Sequence, residues 1–164
     1  MTTTVLAPAT AGKTLENTLT FGTMNISILL TGENTGGAFS LMETVARPGT
    51  EPPYHMHQRE DEIFYITEGH VSVMVDGVVH ECFSGQAIFL PRGVPHTFRI
   101  RSEIARAVLV VTPAGFEKYF QAVGKPATSF DPPTERMPAA DYQEIVGRAA
   151  AASGVIMMPV QPQF

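Results

Sequence analysis

Between residues 39 and 111 the chain breaks into about seven short apolar or alternating runs, each closed by Gly, Pro or an acidic pair, with no helical period among them. The sharpest of these breaks is Asp76-Gly77, set between the Val-rich runs 71–75 and 78–83. Both central positions of a two-residue hairpin favour positive φ, which Asp-Gly tolerates, so the flanking runs are expected to pair antiparallel. Runs this short and this closely spaced leave no room for the crossover helices of a parallel sheet. The expectation is an all-β antiparallel sandwich or barrel. Its last strand, residues 105–112 (ARAVLVVT), is apolar without alternation, which predicts burial on both faces.

The flanks read differently. Residues 1–20 are rich in Thr and Ala and read as an arm, with a short strand near Leu19-Thr20-Phe21, followed by a strand over 25–30 and a turn at Thr35-Gly36-Gly37. Beyond Pro113, Phe116, Tyr119, Phe120 and Val123 fall at i, i+3, i+4 and i+7, one face of a helix over 115–123. A proline-rich connector leads to a second helix from Pro138, with Tyr142, Ile145, Val146 and Ala149 as its apolar face and Gly154 as its cap, after which 155–164 reads as a tail. This divides the chain into an arm (1–20), a barrel (21–114) and a helical extension of the same domain (115–164).

At 164 residues, one domain can bury a core without cross-links. The formal charge of −5 with no basic cluster excludes a nucleic-acid or polyanion partner from the expectations. The single Cys82 rules out an internal disulfide. No membrane span and no secretory leader are expected, and the expected location is cytoplasmic.

Polar residues with chemistry are concentrated in two stretches. Residues 49–69 read Gly-x5-His-x-His-x4-Glu-x6-Gly. In a strand His55 and His57 point the same way, about 7 Å apart along the backbone, and can bracket a small cation. A hairpin through 58–61 returns Glu62 over them, and two His with one carboxylate leave other positions of a metal open. Residues 85–96 read Gly-x5-Pro-x-Gly-x2-His, where the turn Pro91-Arg92-Gly93-Val94-Pro95 launches His96 into a new strand.

Together the two stretches resemble the paired motifs of the cupin superfamily. The resemblance implies a double-stranded β-helix, the jelly-roll barrel, with the C-terminal helices packed outside it, and a metal held by His55, His57, Glu62 and His96. The second motif departs in one place, with Ile100 where Asn is usual. Over about half its length the chain is similar to small cupins grouped with quercetin dioxygenases, through TGGAFSLMET, HMHQREDEIFYITEG, FLPRGVPHTF and VVTPAGFEKYF. That implies one divalent transition metal per chain (iron, manganese, nickel, cobalt or zinc), an aromatic or enol-bearing, flavonol-like substrate, dioxygen as co-substrate, and Glu62 as ligand and general base. A homodimer paired through sheet edges is the default for such cupins.

Strand parity sets the expected pocket. If Glu62 and His96 point inward, so do Phe64, Ile66, Phe98 and Ile100, giving an apolar bowl. Such walls are expected to raise the Glu62 carboxyl above its usual range by desolvation. Two rival functions share the fold: a metal-dependent isomerase or lyase that needs no oxygen, and a non-catalytic binder of small ligands. Glu43 is expected to be exposed or paired across strands, His70 and His80 to be surface residues, and Cys82 to be a small buried apolar group.

Overall fold

A computed structural model describes residues 6–49 and 51–164; residues 1–5 of the expected arm lie outside the described residues. Among the described residues, twelve strands and three helices follow one another. They are β1 (Thr18–Phe21), β2 (Met24–Leu30), α1 (Gly32–Thr35), β3 (Ser40–Ala46), β4 (His55–His57), β5 (Asp61–Glu68), β6 (His70–Val75) and β7 (Val78–Phe83). Then come β8 (Ala87–Leu90), β9 (His96–Ile100), β10 (Ala105–Thr112), α2 (Glu117–Val123), β11 (Lys125–Pro126), α3 (Ala139–Ser153) and β12 (Val155–Met157). The strands form a seven-stranded sheet in the order β11-β1-β2-β3-β10-β5-β8 and a five-stranded sheet in the order β12-β4-β9-β6-β7, with every pairing antiparallel. This is the jelly roll expected from the sequence.

Local chemistry sets the turns. Asp76 and Gly77 both carry positive φ, 48° and 78°, and close the β6–β7 hairpin as their residue types require. Gly69 separates β5 from β6 at φ 91°, where an added Cβ would lie 2.5 Å from the Ile104 carbonyl oxygen, so only glycine fits.

The core lies between the sheets in two main clusters. Ile26, Met42, Leu109 and Val111 meet Phe116, Phe120, Ala150 and Val155 in one, and Ala46, Ile66, Val71, Val73 and Ile100 pack with Cys82 and Leu90 in the other. Helices α2 and α3 send Phe120 and Ala150 into the first of these clusters, while Val123, Val146 and Ala149 pack with Phe21 in a third. Gly154 ends α3 in the left-handed conformation, φ 72°.

Gly36 and Gly37 form the turn expected after Thr35, and it closes a single helical turn, α1, that the sequence reading lacked, with Gly36 at φ 63°. Two readings need correction. Strand β10 is not buried on both faces: Leu109 and Val111 are buried, but Arg106, Val108 and Val110 on the other face are half-buried. Those side chains are shielded sideways by same-face neighbours, Glu43 and Tyr65 beside Val108 and Leu41 and Ile63 beside Val110. The tail is also not a tail at its start. Gly154 turns the chain back, and the β-branched pair Val155-Ile156 adds β12 to the free side of β4, with Val155 opposite His57 and Met157 opposite His55. Among the described residues no helix is long and apolar enough to cross a membrane.

Candidate metal centre

Strand β4 is three residues long and survives because it is paired on both sides, by β12 and by β9. Period-two alternation turns His55 and His57 to the interior together, buried to 7% and 1% exposure. His96 opens β9 directly opposite His55 in the register. All three histidines belong to the five-stranded sheet, whereas Glu62 comes from β5 of the seven-stranded sheet, between Leu90 and Val111. The four side chains therefore meet across the gap between sheets.

Two of the imidazoles are oriented by the same local device. His55 Nδ1 lies 2.8 Å from the carbonyl oxygen of Pro53, and His96 Nδ1 lies 3.0 Å from that of Val94. A carbonyl only accepts, so in both rings Nδ1 carries the proton as donor and Nε2 is turned inward. The proline-bearing turns before each histidine supply those carbonyls.

Around the centre, His55 Nε2 and His57 Nε2 are 3.2 Å apart, His57 Nε2 is 3.5 Å from Glu62 Oε1, and His96 Nε2 is 3.4 Å from Glu62 Oε2. The ligand atoms of the three histidines all lie within 4.8 Å of one another. Donors each ~2.1 Å from one ion stand roughly 3.0–3.4 Å apart when they subtend about 90–110°, so the spacing suits a single small cation. A second observation agrees: the buried His96 Nε2 makes no hydrogen bond. Imidazole nitrogens and a carboxylate gathered at this spacing are a set that a divalent transition metal satisfies.

The electrostatics match. Burial, reinforced by His96 and His57, pushes His55 down to about 3, so its ring is neutral and its lone pair free at neutral pH. Burial also lowers His57. Glu62 departs from expectation. Burial does act on its carboxyl in the expected upward direction, but His57 and His96 outweigh it and hold the group down at about 2. The apolar walls are there; the histidines beside the carboxylate win.

A cavity of about 110 Å³ opens from this cluster. Phe64, Ile66, Phe98 and Ile100 all line it, as do His55, Glu62 and His96. Phe64 and Phe98 meet edge-to-face across the sheets at 5.8 Å. Tyr119, Phe120 and Tyr142 from the helices complete the wall, and Phe116 abuts His57 edge-on at 4.4 Å. Among the described residues no Lys or Arg lines the cavity. The sequence reading had the apolar faces of both helices but not their place in this wall.

The remaining candidates lie elsewhere. Glu43 pairs with Lys13, and His70 engages Glu81 and stacks on Phe83 at 4.3 Å. His80 is exposed, and Cys82 is buried in the core with its thiol pushed up by burial. One residue was missed. Glu60, read as part of a polar turn, is buried to 4% exposure with Oε2 3.8 Å from His57 Nδ1. Its only sequence signal is its place three residues after His57.

Two antiparallel sheets closing over a polar cluster in an otherwise apolar interior define a β-barrel of the jelly-roll class. Residues 42–112 match the cupin domain family, so this stretch of the chain carries a cupin domain. It is 28% identical over 99 residues to quercetin 2,3-dioxygenase of Bacillus subtilis, covering 60% of this chain and 29% of that protein. It is 33% identical over 91 residues to protein SchB of Streptomyces halstedii, covering 54% of this chain and 66% of that one. The chain thus spans less than two thirds of the length of either relative. Among solved structures, an RmlC-like cupin from Shewanella frigidimarina superposes with a TM-score of 0.56 at 18% identity, covering 70% of this chain and 99% of that one. KdgF from Halomonas superposes with a TM-score of 0.52 at 17% identity, covering 58% and 83%. Both show a shared fold.

Proposed function

We propose that the protein is a metal-dependent dioxygenase-like cupin acting on a small, uncharged aromatic or enol-bearing molecule, with His55, His57, Glu62 and His96 as the metal ligands. The observation that carries this reading is the convergence of the three imidazoles and the carboxylate at one end of a cavity with apolar walls and no basic side chain. Such walls suit a flat hydrocarbon-rich ring system and offer nothing to a phosphate or a carboxylate. The resemblance to quercetin 2,3-dioxygenase supports the choice of oxygen chemistry. A bound divalent transition metal would supply a Lewis-acid centre with open positions for an enolic oxygen and for dioxygen. In this reading His55 and His96, fixed through Pro53 and Val94, hold their lone pairs toward the centre, while Phe64 and Phe98 flank the substrate ring and exclude water. Residues 115–164 form part of the same working unit, because Tyr119, Phe120 and Tyr142 close the cavity.

A second reading has its own support. A base works best with a pKa near the operating pH, and Glu62 is held well below it. That favours Glu62 as ligand alone and keeps open an isomerase or lyase that uses the centre without oxygen. Oxygen uptake with a flavonol such as quercetin, together with metal content, separates the two for the wild type and Glu62→Gln. The dioxygenase reading expects oxygen-dependent loss of quercetin by the wild type. With Glu62 as base, turnover per bound metal falls about 10²–10⁴-fold in Glu62→Gln; with Glu62 as ligand only, occupancy falls and turnover per metal does not. A fully metallated wild type that leaves quercetin intact overturns the dioxygenase reading.

A further inference from the structure

The three histidines are not held alike. His55 and His96 each reach the carbonyl oxygen two residues earlier through Nδ1. For His57 the residue two positions earlier is His55, which lies inside a strand paired on both sides. Its Nδ1 is buried without a hydrogen-bond partner, and so is Oε2 of Glu60, which faces it at 3.8 Å. Glu60 is 4% exposed although it belongs to a turn whose neighbours Gln58 and Arg59 are exposed. Two orphaned polar atoms, one from each side chain, are therefore turned toward each other in the interior. A shift of about 1 Å would close them to the ~2.9 Å of an N–H···O bond.

The alternative tautomer of His57 has a definite partner. With its proton on Nε2, the ring would donate to His55 Nε2, 3.2 Å away, and the two histidines would occupy each other. With its proton on Nδ1, both Nε2 lone pairs stay available. We propose that Glu60 is a positioning residue that accepts the Nδ1–H of His57, holding the ring in the tautomer that presents Nε2 to a metal. The proposal rests on the metal reading of the site. It gives the third histidine the outer-sphere acceptor that carbonyls give the other two, an arrangement that usually tunes affinity by one to two orders of magnitude.

The test uses the full chain and two readouts. In metal-free protein, long-range ¹H–¹⁵N spectra of the histidine rings report which nitrogen of His57 is protonated. The expected result is Nδ1–H in the wild type, a switch to Nε2–H in Glu60→Leu, which has no acceptor, and a return to Nδ1–H in Glu60→Gln, whose carbonyl can accept. Titration with Co²⁺ alone, followed by its visible absorption, should show affinity about 10–100-fold weaker in Glu60→Leu and largely restored in Glu60→Gln. Asp61→Asn, whose carboxylate is engaged with Arg92, should match the wild type in both. A purely structural role would change stability but move neither the tautomer nor the absorption spectrum. His57 as Nε2–H in the wild type, or an unchanged tautomer and Co²⁺ affinity in Glu60→Leu, overturns the proposal. If Glu60→Leu does not fold, Glu60→Asp, too short to reach, replaces it with the same expected outcomes. A wild type that binds no Co²⁺ sinks the metal reading, while the metal-free spectra still decide the role of Glu60.

Discussion

At the residue scale the site is governed by where imidazole protons are placed and by how far burial pushes them off. His55 ionises near 6.5 in an unfolded chain and at about 3 in the fold. Between those values the unfolded state binds the proton and the folded state does not, so stability rises with pH across the window and is lost as pH falls from 6.5 toward 3. Glu62, with its folded value also depressed, adds a loss in the same direction below 4.5. Urea unfolding of metal-free protein should therefore show a midpoint that drops steadily from pH 7 to pH 4. In His55→Asn the drop should be shallower above pH 4.5, where Glu62 does not yet contribute. An identical slope in the variant would place the acid sensitivity elsewhere. The sequence made the four residues legible because their spacing is carried by local turns. It did not make the Glu62 ionisation legible, because that is a contest between apolar walls and histidines delivered from the other sheet.

At the element scale, α2 is the piece that ties the helices to the barrel. Its first-turn Glu117 is buried and accepts N–H bonds from Gly115 at 2.7 Å and from Gly32 of α1 at 3.0 Å. Burial alone would raise this carboxyl, yet the amide donors hold it below the usual carboxylate range. With a depressed folded value, its stabilisation is complete above the unfolded value of 4.5 and disappears as pH falls through the folded one. Glu117→Gln should cost ~1.5–3 kcal/mol at pH 7, and the gap from wild type should narrow below about pH 4. Thermal unfolding of both proteins across that range checks it. The elements legible from sequence were those whose signal is local: the Asp76-Gly77 hairpin, the turn before His96, the apolar face running from Phe116 to Val123. Strand β12 was not, since three residues after a helix become a strand only when an edge such as β4 is there to receive them. Glu60 was missed for a related reason. A charged residue in a polar turn reads as solvated, and only the packing around His57 shows it buried.

At the scale of the whole molecule, the candidate ligands are divided between two sheets, three on one and Glu62 on the other. A cation held by all four would join the layers and bind only the folded chain. At 100 times its dissociation constant it should add ~2.7 kcal/mol. For a chain of this length that is a rise of roughly 5–10 °C in Tm, reversed by a chelator. Differential scanning calorimetry with Ni²⁺, Mn²⁺ or Co²⁺ measures it, and an unchanged Tm with every ion offered would argue against a shared site. The position of β12 has a consequence of another kind. It lies along the side of β4 that would otherwise present a row of unpaired amides and carbonyls. Uncovered edges of that sort recruit strands from neighbouring molecules. Three residues just after α3 thus take over the edge of the sheet from β4, and a lesion that frees them would lay open the histidine strand itself.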